Sequence, residues 1–166
     1  MNDRGGELKD ATSKMNRRSV LSRPFLYELK VVRTKRSGYG PPRKFQSSTD
    51  AYEAFRKRAE RADREEFLVL LLDTKNVMLG FHVVSVGTLA SVIVHPREVF
   101  KPAILANAAS ILLIHNHPSG DPDPSEEDIA ITKRIKKAGE LLDIPVLDHV
   151  IIGDGAYFSF ADRKML

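Results

Sequence analysis

The densest chemistry in the 166-residue sequence lies between Ile114 and Asp128, which reads IHNHPSGDPDPSEED. On an extended backbone alternate side chains point the same way, so His115 and His117 can present two imidazoles to one point. Pro118, Gly120, Pro122 and Pro124 supply the dihedrals of a sharp loop that turns the next segment back toward the histidines. Asp128 falls in the first turn of a helix that Ser125 starts, where a carboxylate can face a positive centre. Two neutral imidazoles and one carboxylate are three protein ligands of the kind zinc accepts, and a fourth position left to water is the catalytic arrangement. Zinc lowers the pKa of its water to about 7 and polarises a carbonyl. Hydrolysis then needs a carboxylate to carry the water's proton to the leaving nitrogen. It also needs an oxyanion donor, a task open to the Ser125 hydroxyl.

Simpler readings account for the same residues. An isolated H-x-H is more often a pair of loop histidines than a metal site. Ser125-Glu126-Glu127-Asp128 also has the form of a helix capping box, which explains both ends of the tetrapeptide without a metal. Spacing alone leaves the two readings open.

The elements that must hold these residues follow from periodicity. Residues 1–23 are poor in large apolar side chains and read as weakly ordered, 25–32 (FLYELKVV) as a strand, and 33–44 as a Gly/Pro-rich basic loop. A helix from Ser48 or Thr49 to about Ala62 carries Tyr52, Phe55 and Ala59 at helical spacing. Strands follow at 67–72, 77–86 and 90–95, the first apolar throughout, as in a strand covered on both faces. Pro96 opens a helix to about Ala108. Then come a strand at 110–114, a helix from Ser125 to about Leu142, and strands at 146–152 and 156–160 joined by Gly153-Asp154-Gly155. The expected fold is α/β, one mixed sheet flanked by helices, with an arm over residues 1–45 and a domain over 46–166.

Composition narrows the function classes. Cysteine is absent, which excludes a disulfide framework, thiolate zinc ligands and a cysteine nucleophile. No apolar run approaches the ~20 residues of a membrane span, and the polar N-terminus lacks a signal-peptide core. A cytoplasmic protein with no membrane partner is expected. Residues 1–47 hold 12 Lys and Arg against 4 Asp and Glu, while the rest holds 14 against 18. The basic character belongs to the arm, a candidate contact for nucleic acid or another acidic partner.

His115-x-His117, seven residues, then Ser125-x-x-Asp128 resembles the JAMM signature, H-x-H-x7-S-x2-D, of JAB/MPN metallopeptidases. HNHPSGDPDPS, with VHPREVFKPAILANAASILLIHNHPSG upstream and LDHVIIGDG downstream, is similar to the RadC branch of that family. The resemblance spans about residues 49–160. It implies a three-layer JAB/MPN core, related to that of cytidine deaminases, with zinc on His115, His117 and Asp128 and Ser125 supporting the site. The implied activity is cleavage of peptide or isopeptide bonds, with a protein or peptide substrate such as a ubiquitin-like tail. It also implies an upstream glutamate as general base. Glu66, which opens the buried strand 49 residues before His115, is the choice. Glu65 would point to the opposite face, and Glu98 suits a helix first turn on dipole grounds. Asp148 and His149 could form a pair behind the metal ligands, or a satisfied polar pair on a strand. His82 and His95 read as structural. The competing function is a nucleic-acid or protein-binding module whose basic arm does the work, with the zinc structural or silent.

Overall fold

The computed structural model describes residues 43–87 and 94–166. The strand expected at 25–32, nearly all of the basic arm, and residues 90–93 of the strand expected at 90–95 lie outside them. Val94 and His95 are described and are not in a strand; His95 is instead the N-cap of the following helix, its Nδ1 accepting from the Arg97 amide.

Eight elements follow in chain order: α1 (Ser48–Ala59), β1 (Glu66–Leu72), β2 (Met78–Val86), α2 (Pro96–Leu105), β3 (Ser110–Asn116), α3 (Glu126–Leu141), β4 (Val146–Ile152) and β5 (Tyr157–Ser159). The five strands form one mixed sheet in the order β2-β1-β3-β4-β5, in which only β3 and β4 run parallel. The α/β expectation holds.

Local chemistry sets the element ends. Ser47 and Asp50 close a capping box at the start of α1. Asp73 accepts from the amides of Lys75 and Val77 and shapes the turn between β1 and β2, where Asn76 takes a φ of 59°. α2 stops at Leu105, short of Ala108, because the chain turns left-handed at Asn107, φ 51°.

Both faces of β1 are covered, which is why its sequence is apolar throughout. Phe67, Val69 and Leu71 pack with Ile111 and Leu113 of β3 under residues of α2 and α3 such as Phe100 and Ile135. Leu68, Leu70 and Leu72 pack with Leu112 and Ile114 on the other face, under Phe45, Ala51 and Phe55. Phe45 is 3% exposed and its amide bonds to the Asn76 carbonyl, so the folded unit includes this residue, which the sequence reading gave to the arm.

The parallel pair is what places the site. Parallel neighbours need a crossover, and α3 supplies it between β3 and β4. The chain leaves the C-terminal end of β3 and enters α3 at its N-terminus. The first turn of α3 therefore returns beside the end of β3, the end of the sheet where α/β folds hold ligands.

Candidate metal centre

His115 occupies the penultimate position of β3, and its backbone partner in β1 is Phe67. Directly paired residues share a face, so the imidazole lies on the α3 side of the sheet, 5.7 Å from the Phe67 ring by centroid. His117 continues the extended path beyond the strand, its amide bonded to the Ile152 carbonyl. The two rings meet edge to face at 4.8 Å. Asp128, in the first turn of α3, completes the group: one ligand atom from each of His115, His117 and Asp128 lies within 4.8 Å of the others. These three could hold a metal ion.

The ligand atoms are held from behind. His117 Nδ1 lies 2.7 Å from the Asp121 carbonyl, which can only accept, so Nδ1 carries the proton. That leaves Nε2 bare, 3.4 Å from Asp128 Oδ2. Ser125 caps α3 through a full capping box, with its amide (2.8 Å) and hydroxyl (2.6 Å) both donating to Asp128 Oδ2. The cap thus uses one carboxylate oxygen and leaves Oδ1 over. Cap and ligand are compatible readings of the same aspartate. The single proton of the Ser125 hydroxyl goes to Asp128, so in this structure the residue orients the carboxylate and is not aimed outward as an oxyanion donor.

The donor set suits a cation. His115 Nδ1 and Asp128 Oδ1 are buried and face each other at 3.1 Å, yet neither makes a hydrogen bond. Buried polar atoms are rarely left so. A cation held by both would satisfy them together. Burial alone would raise the Asp128 pKa, but contacts with His115, His117 and Ser125 outweigh it and hold the carboxyl well below its usual range. The same carboxylate raises the pKa of His117 against the opposing effect of burial, with the Asp121 carbonyl adding to the rise.

Of the two neighbouring glutamates, the structure places Glu65 and not the expected Glu66 beside His115. Glu66 turns away: its carboxylate is gripped by Arg58 of α1, at 2.7 Å from Nε and 3.1 Å from Nη2. Glu65 takes the site face, with Oε1 2.7 Å from His115 Nε2. Period two in β1 requires this once Phe67 is fixed opposite His115, because residues 65, 67 and 69 then share a face. Glu98 lies on the surface of α2, its carboxylate kept ionised by Lys101 and Arg97.

Asp148 and His149 do not form a side-chain pair. Asp148 accepts from the His149 amide, the Ser159 hydroxyl and the Ala161 amide, which ties β4 to the segment after β5, and burial pushes its pKa up. His149 is fully buried behind His115, the rings nearly parallel at 6.0 Å. Burial, and after it the repulsion of His115, push its pKa down to about 3.

Sequence reasoning missed Asn116, which sits between the two histidines. Its amide accepts from the Glu66 N–H (2.8 Å) and donates to the Arg64 carbonyl (3.1 Å), clamping the backbone on both sides of Glu65. An amide side chain at the end of a wholly buried strand was the available signal, since buried amides must find partners. Asn116→Ala should lower stability by about 1–3 kcal/mol by leaving both backbone groups unsatisfied. Denaturant unfolding would measure this, and a parent-like midpoint would show that the clamp bears no load.

The loop from His117 to Pro124 is docked on the turn between β4 and β5. Asp154 N bonds to the Gly120 carbonyl, and a Cβ on Gly153 would meet that same oxygen at 2.3 Å. Glycine is required there by close approach. A cleft of about 260 Å3 opens beside His117, lined by Glu60, Ser119 and Asp154 among others.

A model of the RadC-like JAB domain family matches residues 45–165. UPF0758 proteins of Methanosarcina acetivorans and Pelobacter propionicus are 52% and 53% identical to this chain over 123 residues, 74% of the chain and 54% of each relative. A UPF0758 protein of Desulforamulus reducens is 57% identical over 104 residues, 63% of the chain and 46% of the relative. The chain spans about half the length of the curated relatives it matches. Among the described residues no helix is long and apolar enough to cross a membrane.

Proposed function

This chain belongs to the RadC-like JAB domain family, and from that premise we propose that it is a zinc-dependent hydrolase of peptide or isopeptide bonds. His115, His117 and Asp128 would hold the ion. One observation carries the reading: two buried ligand atoms, His115 Nδ1 and Asp128 Oδ1, face each other without hydrogen bonds, while the Glu65 carboxylate holds Nε2 of the same imidazole through Oε1. Zinc held there would supply Lewis acidity, polarising a carbonyl and lowering the pKa of a bound water to about 7.

The chain's own residues supply the rest. Glu65 is 19% exposed at its side chain, so it is open to solvent and substrate as a proton carrier must be. Its carboxylate would take the proton of the attacking water at Oε1 or Oε2 and return it to the leaving nitrogen. Ser125 would keep Asp128 in the orientation that leaves Oδ1 unused. The cleft beside His117 would receive the chain on one side of the scissile bond. The substrate belongs to the same proposal: a protein or peptide, with the tail of a ubiquitin-like modifier as the first class to try.

Metal content decides first. Elemental analysis of the purified protein should give about one zinc per chain, absent in the His115→Ala/His117→Ala variant. The zinc-loaded parent, and not the variant, should then cleave members of a quenched peptide and isopeptide panel. Parent protein that takes up no zinc after reconstitution at neutral pH would end the proposal.

A further inference from the structure

Thr132 and His149 are buried polar residues behind the metal ligands, 1% and 0% exposed, and the mechanism above gives them no task. Thr132 Oγ1 donates to the Asp128 carbonyl at 2.5 Å, one turn back along α3, and lies 2.7 Å from His149 Nδ1. A carbonyl can only accept, and a hydroxyl has one proton. The Thr132 proton is therefore spent on Asp128, and the contact with His149 must run from an Nδ1–H to the hydroxyl oxygen. That fixes His149 as the Nδ1–H tautomer with a bare Nε2. His149 Nε2 is a buried atom with no hydrogen-bond partner, so no acceptor there competes for the proton.

The ring cannot turn to exchange the two nitrogens cheaply. It is stacked on Phe160 at 5.0 Å and 9°, lies 6.0 Å from His115 at 10° on the ligand side, and has Phe67 against it at 5.4 Å. Helix ends fray unless something holds them, and Asp128 sits in the first turn of α3. Ser125 secures the Asp128 side chain from the solvent end. Thr132, itself bonded to His149 of β4, secures its backbone carbonyl.

We infer that Thr132 and His149 are positioning residues for the metal-binding carboxylate: His149 Nδ1–H donates to Thr132, Thr132 donates to the Asp128 carbonyl, and this relay pins the first turn of α3 to β4. The inference rests on the metallohydrolase reading only for its zinc readout. A histidine behind the ligands is thereby used through its tautomer and not its charge.

The test has a metal-free arm and a zinc arm. In the metal-free parent, nitrogen-15 NMR of the imidazoles should show His149 as the Nδ1–H tautomer, and Thr132→Val should lose that fixed tautomer. An Nε2–H tautomer in the parent overturns the relay. In chelator competition, Thr132→Val should bind zinc about 10- to 100-fold more weakly, the usual effect of losing a residue that holds a ligand. Thr132→Ser, which keeps the hydroxyl, should restore the parent value, and His149→Phe, which keeps the stacked ring, should weaken binding like Thr132→Val. A Thr132→Val protein that melts lower but binds zinc as the parent does would show a merely structural bond and overturn the inference. Parent protein that binds no zinc would defeat the metallohydrolase reading instead, and the tautomer measurements would then decide the relay by themselves.

Discussion

Glu65→Gln should lower turnover of a peptide or isopeptide substrate about 10²- to 10⁴-fold, the range for losing a general acid–base, with zinc content unchanged. Glu66→Gln should leave turnover near that of the parent. The two glutamates are neighbours in sequence, identical in chemistry and opposite in effect, because β1 sends them to opposite faces. Glu65 reaches His115 at 2.7 Å on the α3 side. Glu66 is neutralised by Arg58 on the α1 side, where its removal costs one part-exposed ion pair. Glutamine keeps the size of each side chain, so the comparison isolates the carboxylate. Turnover of both variants is measured on any substrate the zinc-loaded parent cleaves. Full activity in Glu65→Gln, or a loss confined to Glu66→Gln, would mean that the proton is carried elsewhere.

The metal-free protein should lose stability steeply in mild acid. His149 has a folded pKa near 3, against 6.5 for an ordinary histidine. Between those values the unfolded chain binds a proton that the native state refuses. Stability from this group is therefore complete above pH 6.5 and falls as pH drops, by about 1.4 kcal/mol per pH unit. Carried through the whole interval, the loss is about 5 kcal/mol, comparable with the total stability of a small domain. His117 has the opposite sign. Its raised pKa gives stability that is complete below 6.5 and disappears as pH rises through the folded value. Stability of the metal-free protein should therefore be greatest near pH 6.5. Asp128, held low, adds its own loss only below the ordinary carboxylate range, and Asp148, pushed up by burial, opposes the acid loss close to that range. Denaturant unfolding in the presence of chelator at pH 7, 6 and 5 gives the slope, and His149→Phe should flatten it. An equal slope in the variant would place the acid sensitivity in another group.

Much of the site was legible in the chain itself. The histidines at 115 and 117 need only a strand to share a side, and β3 with its extension supplies one. Ser125 to Asp128 could be read as a helix start, and it is one; the cap takes Oδ2 and leaves Oδ1. The continuous apolar run of β1 announced a strand covered on both faces, and α1 lies on one side with α2 and α3 on the other. These are local properties, written in periodicity and capping chemistry within a dozen residues.

What the chain could not settle is which face is which. Nothing near residue 65 says whether odd or even positions of β1 look toward α3. That choice is made by the pairing of Phe67 with His115, 48 positions away, and a one-residue slip would have exchanged Glu65 for Glu66. The same holds for Asn116, whose clamp on residues 64 and 66 exists only when β1 and β3 are in register, and for Asp148, sent to the far face from His149 by one step along β4. The sequence by itself determined the ligand types, the strand and helix that carry them, and the loop between. Tertiary structure alone decided which glutamate lies beside His115 and which residues pack behind it, because sheet register is fixed by the packing of two whole faces and not by any segment alone.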